Sequence, residues 1–176
     1  MTIEHIHEIR LAQTEETAIA ELLGSAFATT NFGNRSYFQN RHHQRLIWRE
    51  NNKIVGHVAL SLRAARMSDH LIQTAGIAEV ATDPDHRGKG IATALMTAAI
   101  TSAKASLADF AVLFGDEPLY ARLGFRPKPN RTLTLSMHDV RTGVQENRQD
   151  DGLMVMQLRD MAWDDDAVID LVGFAF

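Results

Sequence analysis

The chain has 176 residues, of which 45% are apolar and 23% charged, a balance that fits one globular domain over 1–176 and excludes a disordered polypeptide. The formal net charge of −4 argues against a general nucleic-acid binder, whose affinity rests on basic surfaces that neutralise phosphates. Cysteine is absent, which excludes disulfide frameworks, thiolate zinc sites and cysteine nucleophiles. No apolar run approaches the ~18 residues of a membrane span, and Met1–Arg10 lacks the apolar core of a secretion signal, so the expected location is cytoplasmic and no membrane partner is expected.

Ile3, Ile6 and Ile9 among charged and histidine residues suggest an opening strand. Thr14 is placed to N-cap a helix over Thr17–Phe27. A loop at 29–34 follows, because Asn and Gly there favour turns, and a short helix is expected from about Ser36 to Gln44. The period then turns strand-like in Arg45–Glu50 and Lys53–Met67, a hairpin about Asn51-Asn52. A turn at Ser68-Asp69 leads into a third strand over His70–Thr82.

After Thr82 the order is loop, then helix. Ile91, Ala94, Leu95, Ala98 and Ala99 form one face of that helix, with Thr93, Thr97, Thr101 and Lys104 opposite. Phe110–Phe114 is a short apolar strand broken by Gly115 and Pro118. A brief helix at Leu119–Leu123 ends at Gly124, a residue suited to a left-handed C-cap. Arg131–Ser136 and Leu153–Leu158 complete the expected strands, joined by a polar connection at Thr142–Asp151.

A glycine-bearing loop at a helix start gathers unpaired backbone N–H groups and the positive end of the helix dipole at one point, which makes an anion site. Here that loop is Arg87-Gly88-Lys89-Gly90-Ile91-Ala92. The glycines let the backbone approach a phosphate, and Arg87 and Lys89 add positive charge. Neither G-x-x-x-x-G-K-[ST] nor G-x-G-x-x-G is present, since Thr93 holds the third glycine's place. An anion loop of another type remains.

The run Val80–Ala92 resembles the acyl-coenzyme A signature of the GNAT N-acetyltransferase superfamily, [RQ]-x-x-G-x-[GA], matched by Arg87, Gly90 and Ala92. Tyr120-Ala121-Arg122-Leu123-Gly124-Phe125 resembles that superfamily's second marker, Y-x-x-x-G-F. The resemblance implies an α/β (α+β) fold with a central, mostly antiparallel mixed sheet, splayed between strands 4 and 5 and flanked by helices. It implies acetyl-coenzyme A as acyl donor, with its diphosphate on the amides of Gly88, Lys89, Gly90, Ile91, Ala92 and Thr93 beside Arg87. Its pantetheine arm would pair with the strand Val80-Ala81-Thr82. Tyr120 is implied as the proton donor to the departing thiolate, a phenol of pKa about 10 facing a thiol of about 8.5.

An amine acceptor must lose a proton before attack. Glu79 is the first candidate for that proton's acceptor, His57 the second, and a water chain or the Phe176 carboxylate stay open. The C-terminal layout resembles aminoglycoside 2′-N-acetyltransferases and nodulation N-acyltransferases, which implies a small-molecule amine acceptor and leaves a longer acyl chain open. A non-catalytic acyl-coenzyme A-binding module is the remaining alternative, and homodimerisation is open. Residues 139–176 carry three arginines against nine acids, a field that would draw a polycationic acceptor if it reached the cleft. Eight histidines do not make a metal site, because neither H-x-x-x-H nor H-E-x-x-H occurs. Arg41-His42-His43 reads as either an acceptor contact or a solvated polar face.

Overall fold

Strand alternation organises the first half of the chain. The computed structural model describes residues 2–115, 117–149 and 152–175. Strand β1 (Ile3–His7) pairs antiparallel with β2 (Gln44–Glu50), and β2 with β3 (Lys53–Met67). Asn51 and Asn52 make the turn at positive φ, 48° and 65°, which asparagine tolerates better than most residues. Between β1 and β2 runs helix α1 (Gln13–Ala26). Its cap is Ala12 rather than Thr14: the Ala12 N–H donates to the Glu15 carboxylate at 3.0 Å. The expected helix at Ser36–Gln44 is absent, and bends lead directly into β2.

Strand β4 (His70–Thr82) lies antiparallel to β3. Helix α2 (Ile91–Ala105) then crosses to β5 (Phe110–Phe114), which runs parallel to β4. Neighbours such as Leu46 and Ile47, or Val55 and Ile54, point to opposite faces, as strand geometry requires. Leu46, Val55 and Val58 pack with Ile91, Leu95 and Ala99 of α2, while Ile47, Ile54 and Ala81 pack with Ile19, Leu22 and Leu23 of α1. The helices therefore cover opposite faces. The buried stripe of α2 includes Met96 and Ile100, so it is rotated slightly from the face that Ala94 and Ala98 suggested.

The remaining elements are α3 (Glu117–Ala121), β6 (Arg126–Pro127), β7 (Arg131–His138), β8 (Arg141–Gln149), β9 (Leu153–Gln157) and β10 (Ile169–Asp170). The described residues form a ten-stranded, mostly antiparallel mixed sheet in the order β6-β9-β5-β4-β3-β10-β7-β8, with β2 also on β3 and β1 outside it. The stretch expected as a polar connection, Thr142–Asp151, is largely β8. That strand is exposed along nearly its whole length and paired to β7 alone, so no apolar alternation announces it. In β7 the buried side chains are Thr132, Thr134 and Ser136, not the intervening leucines.

The sheet opens between β4 and β5. Their ladder covers only Thr74–Gly76 against Phe110–Val112. At its closed end Asp109 and Gln73 exchange bonds, Asp109 N–H to the Gln73 carbonyl and Gln73 N–H to the Asp109 carboxylate, both 2.8 Å. Beyond Gly76, β4 acquires an extra residue relative to β3, since His57 faces Ala81 while Ala59 faces Ala78. Within this bulge Glu79 adopts φ 53°. A bulge bends its strand and increases its twist, which carries the end of β4 away from β5.

Candidate functional site

Because β4 and β5 are parallel, their C-terminal ends, the start of α2 and the segment after β5 meet at the open end. Asp83 N–H donates to the Val55 carbonyl across β3 at 2.9 Å. By strand alternation the backbone groups of Thr82 and Val80 therefore face away from β3, into the opening. Ala81 turns its methyl into the α1 core, so only its main chain is available. Thr82 Oγ1 is buried without a hydrogen-bond partner.

Gly88 and Gly90 have φ of 76° and 78°, the left-handed region that glycine enters without strain. A Cβ at either would meet nothing within 4 Å, so backbone conformation, not internal crowding, requires glycine there. Gly90 caps α2 with its carbonyl, which accepts the Ala94 N–H at 3.0 Å, and no side chain caps the helix. The first-turn amides of Ile91, Ala92 and Thr93 have no intrahelical acceptor. With exposed Arg87 and Lys89 beside them, they form a concave, positively polarised nest. Ile91 contributes only its main chain, its side chain being buried under α2.

The approach to this nest is braced. Buried Asp83 accepts from Lys53 Nζ at 2.6 Å and from Asp85 N–H at 3.0 Å, and His86 Nδ1 lies 3.1 Å from it. The Lys53 and His86 contacts lower its carboxyl to about 2. Across the opening, Tyr120 on α3 is 8% exposed. Its ring meets Phe125 edge-on at 6.3 Å and lies on Gly115, where a Cβ would collide with ring carbon Cε2. Tyr120, Ile91 and half-buried Val80 belong to one packed cluster.

Glu79 and His57 occupy the other face, in a buried ionic network. The Glu79 side chain is 6% exposed. One oxygen accepts the Phe38 N–H at 2.8 Å and lies 3.1 Å from His42 Nε2, close but poorly aligned for a hydrogen bond; the other accepts from Arg45 Nη1 at 3.0 Å. Burial alone would raise this carboxyl, but the His42 contact and the Arg45 charge outweigh it and hold it below the usual range. Arg45, fully buried, also donates to Glu8 at 2.7 and 3.1 Å and to the Ser36 carbonyl at 2.7 Å. Arg41 links Glu8 to Glu16, at 2.9 Å each.

His57 donates from Nδ1 to the Glu79 carbonyl at 2.9 Å, which leaves Nε2 as the acceptor facing Arg45 Nη1 at 3.3 Å. Burial first, and the Arg45 charge second, lower it from 6.5 to about 4. It is neutral in the folded chain at pH 7. Its folded value lies below the unfolded one, so the stability it contributes is complete above about pH 6.5 and lost as pH falls toward 4. Melting temperatures measured across that interval should fall with acidification, while the His57 ring resonance stays that of a neutral imidazole until near pH 4.

A family model described as an acetyltransferase (GNAT) domain matches residues 8–127. The chain belongs to the GNAT acetyltransferase family. A GNAT family acetyltransferase from Brucella melitensis, solved in complex with acetyl-CoA, is similar to this GNAT chain with TM-score 0.63 and 16% identity over 94% of each chain. YhbS from Escherichia coli, solved in complex with CoA, is similar with TM-score 0.67 and 19% identity, over 97% of this chain and 88% of that one. Among curated proteins, no sequence matches.

In this GNAT chain the structure gathers Val80, Thr82, the Arg87–Thr93 nest and Tyr120 at one opening, and puts Glu79 and His57 behind the β4 bulge. Phe176 lies outside the described residues. No group of three or more His, Asp or Glu side chains among the described residues is placed to hold a metal ion. No described helix is long and apolar enough to cross a membrane. Sequence reasoning missed Arg45, Glu8 and Phe38. The available signal was Arg45 itself, a charge two residues from Ile47 and so on the same inward face of β2.

Proposed function

We propose that the whole chain, 1–176, is one acyl-CoA N-acyltransferase domain that moves an acetyl group from acetyl-CoA to a primary amine by direct attack within a ternary complex. The observation that carries this reading is the uncapped start of α2, with two left-handed glycines and two exposed cations, at the mouth of the β4–β5 opening. The nest suits a diphosphate, and the outward backbone of Val80 and Thr82 suits an arm that adds like a strand. The complexes of the two similar enzymes with acetyl-CoA and CoA support it. Acetyl-CoA supplies an activated acyl group as its thioester.

The residues then divide the work. Gly88–Thr93 and the cations Arg87 and Lys89 hold the donor's phosphates, and Val80 and Thr82 fix its arm. Tyr120 gives a proton to the leaving sulfur. Both Glu79 oxygens are engaged and the carboxyl is held low, so it is a poor direct base. Its part is to anchor the segment around Phe38, and the amine's proton leaves through water. Positioning two reactants supplies much of such catalysis. The test is release of free thiol from acetyl-CoA over a panel of amines: amine-dependent release supports the reading, and its absence with every amine overturns it.

A further inference from the structure

We propose that His57 is a positioning residue for acetyl transfer: by fixing the carbonyl of Glu79 it turns the Glu79–Val80 peptide so that the Val80 N–H points at the donor's thioester. The inference rests on the acetyl-transfer reading. Glu79 is strained, since it holds φ 53°, a left-handed conformation that a residue with a long side chain keeps only when its surroundings over-determine it. Strain of this kind gathers at working sites.

The contacts that hold Glu79 differ in kind. The Phe38 N–H and Arg45 Nη1 grip its carboxylate, at 2.8 and 3.0 Å, through a side chain with rotatable bonds. His57 Nδ1 grips the peptide itself, donating to the Glu79 carbonyl at 2.9 Å. The His57 ring is fully buried. It stands opposite Ile47 on β2 and Ala81 on β4, both in the core under α1, and its Nε2 lies 3.3 Å from Arg45 Nη1. One ring nitrogen is thus tied to the ionic network and the other to the main chain of β4.

Peptide geometry carries the effect across the sheet. The Glu79 carbonyl and the Val80 N–H belong to one planar trans unit and point in opposite directions. With the carbonyl drawn to the α1 face, the N–H turns toward the face that α2 covers, where the Val80 side chain packs. It also points away from β3, and the ladder of β4 with β5 has already ended at Gly76. The donor's arm, running from the nest past Thr82, brings the thioester to this end of the strand. The amine adds to the acyl carbon, and the acyl oxygen holds the extra electron pair against the Val80 N–H. As that pair returns, the carbon–sulfur bond breaks and Tyr120 protonates the sulfur. A donor aimed at developing charge acts in the transition state.

The experiment measures thiol release from acetyl-CoA, with an amine that the wild type accepts, in His57→Asn, His57→Gln and His57→Leu. The asparagine amide stands where Nδ1 stood and can donate to the Glu79 carbonyl. Glutamine places its amide where Nε2 stood and keeps only the contact with Arg45, and leucine keeps neither. His57→Gln and His57→Leu should lose about 10–10²-fold in kcat with the KM for acetyl-CoA little changed, whereas His57→Asn should recover to within about threefold of wild type. Coenzyme A carries no acyl oxygen, so it should raise the melting temperature of each folded variant as much as that of the wild type. The asparagine and glutamine variants decide the matter if the leucine variant does not fold. Equal kcat in those two, or a loss that falls on KM or on the shift caused by coenzyme A, overturns the proposal and leaves acetyl transfer standing. A wild-type protein that releases thiol with no amine overturns the acetyl-transfer reading and this inference with it.

Discussion

Arg45→Met should lose about 3–5 kcal/mol of folding stability, because removal of one partner strands the other's charge in the interior. Here Glu79 loses its arginine, and Glu8 loses one of two, since it keeps Arg41 at 2.9 Å. Glu8 and Glu79 face Arg45 at 2.7 and 3.0 Å, and the Ser36 carbonyl loses its donor as well. Against a typical total of about 5–15 kcal/mol, such a loss brings the domain near its threshold. Arg45→Lys should recover only part, since one ammonium cannot reproduce the planar fork that reaches Glu8, Ser36 and Glu79 together. Adding Glu8→Gln and Glu79→Gln to Arg45→Met should restore stability beyond the sum of the separate effects, the sign of a coupled network. Urea unfolding at pH 7 measures all of these, and a loss under about 1 kcal/mol in Arg45→Met would show the network to be energetically idle.

Tyr120→Phe should slow thiol release by about 10²–10⁴-fold, the usual worth of one general acid. The substitution keeps the ring, so its contacts with Phe125 and Gly115 survive, and coenzyme A affinity should hold. The loss should appear in kcat, because the proton is needed as the sulfur departs. Steady-state thiol release with an accepted amine is the measurement. Undiminished release would move the proton donor elsewhere.

What could be read from the sequence follows from where each residue's partners lie. The nest was legible because its geometry is a backbone property, written locally in Gly88 and Gly90. The β2–β3 hairpin was legible because alternation and the Asn51-Asn52 turn are also local. The segment Ser36–Gln44 was misread as a helix because its conformation is imposed from afar. Phe38 N–H is held by Glu79, 41 residues on, and the Ser36 carbonyl by Arg45. Arg45 itself joins Glu8 and Glu79 over 37 and 34 residues, so the spacing of charges along the chain gives no sign of the network.

The same distinction explains the C-terminal half. Strand β8 exists through its ladder to β7, a backbone interaction that polar residues such as Gln145, Glu146 and Asn147 make as readily as apolar ones. In β7, burial of Thr134 depends on the tail, where the Gly173 carbonyl accepts its hydroxyl at 2.9 Å. A threonine that finds such a partner is buried without penalty, and alternation of leucine and threonine then points to the wrong face. The network around Glu79 was likewise hidden, since its bulge and its contacts with Phe38 and Arg45 join residues far apart in the chain.

The most direct test of the account is a thermal titration with coenzyme A of the wild-type protein, Gly90→Glu and Gly90→Asn. The asparagine variant tolerates the left-handed backbone and controls for folding. A ligand bound only by the native state adds about 2.7 kcal/mol at a hundred times its Kd. The account predicts a concentration-dependent rise in Tm for the wild-type and Gly90→Asn proteins, and none for a folded Gly90→Glu, whose carboxylate stands in the nest. A wild-type protein indifferent to coenzyme A, or a Gly90→Glu protein stabilised as strongly as the wild type, would contradict it.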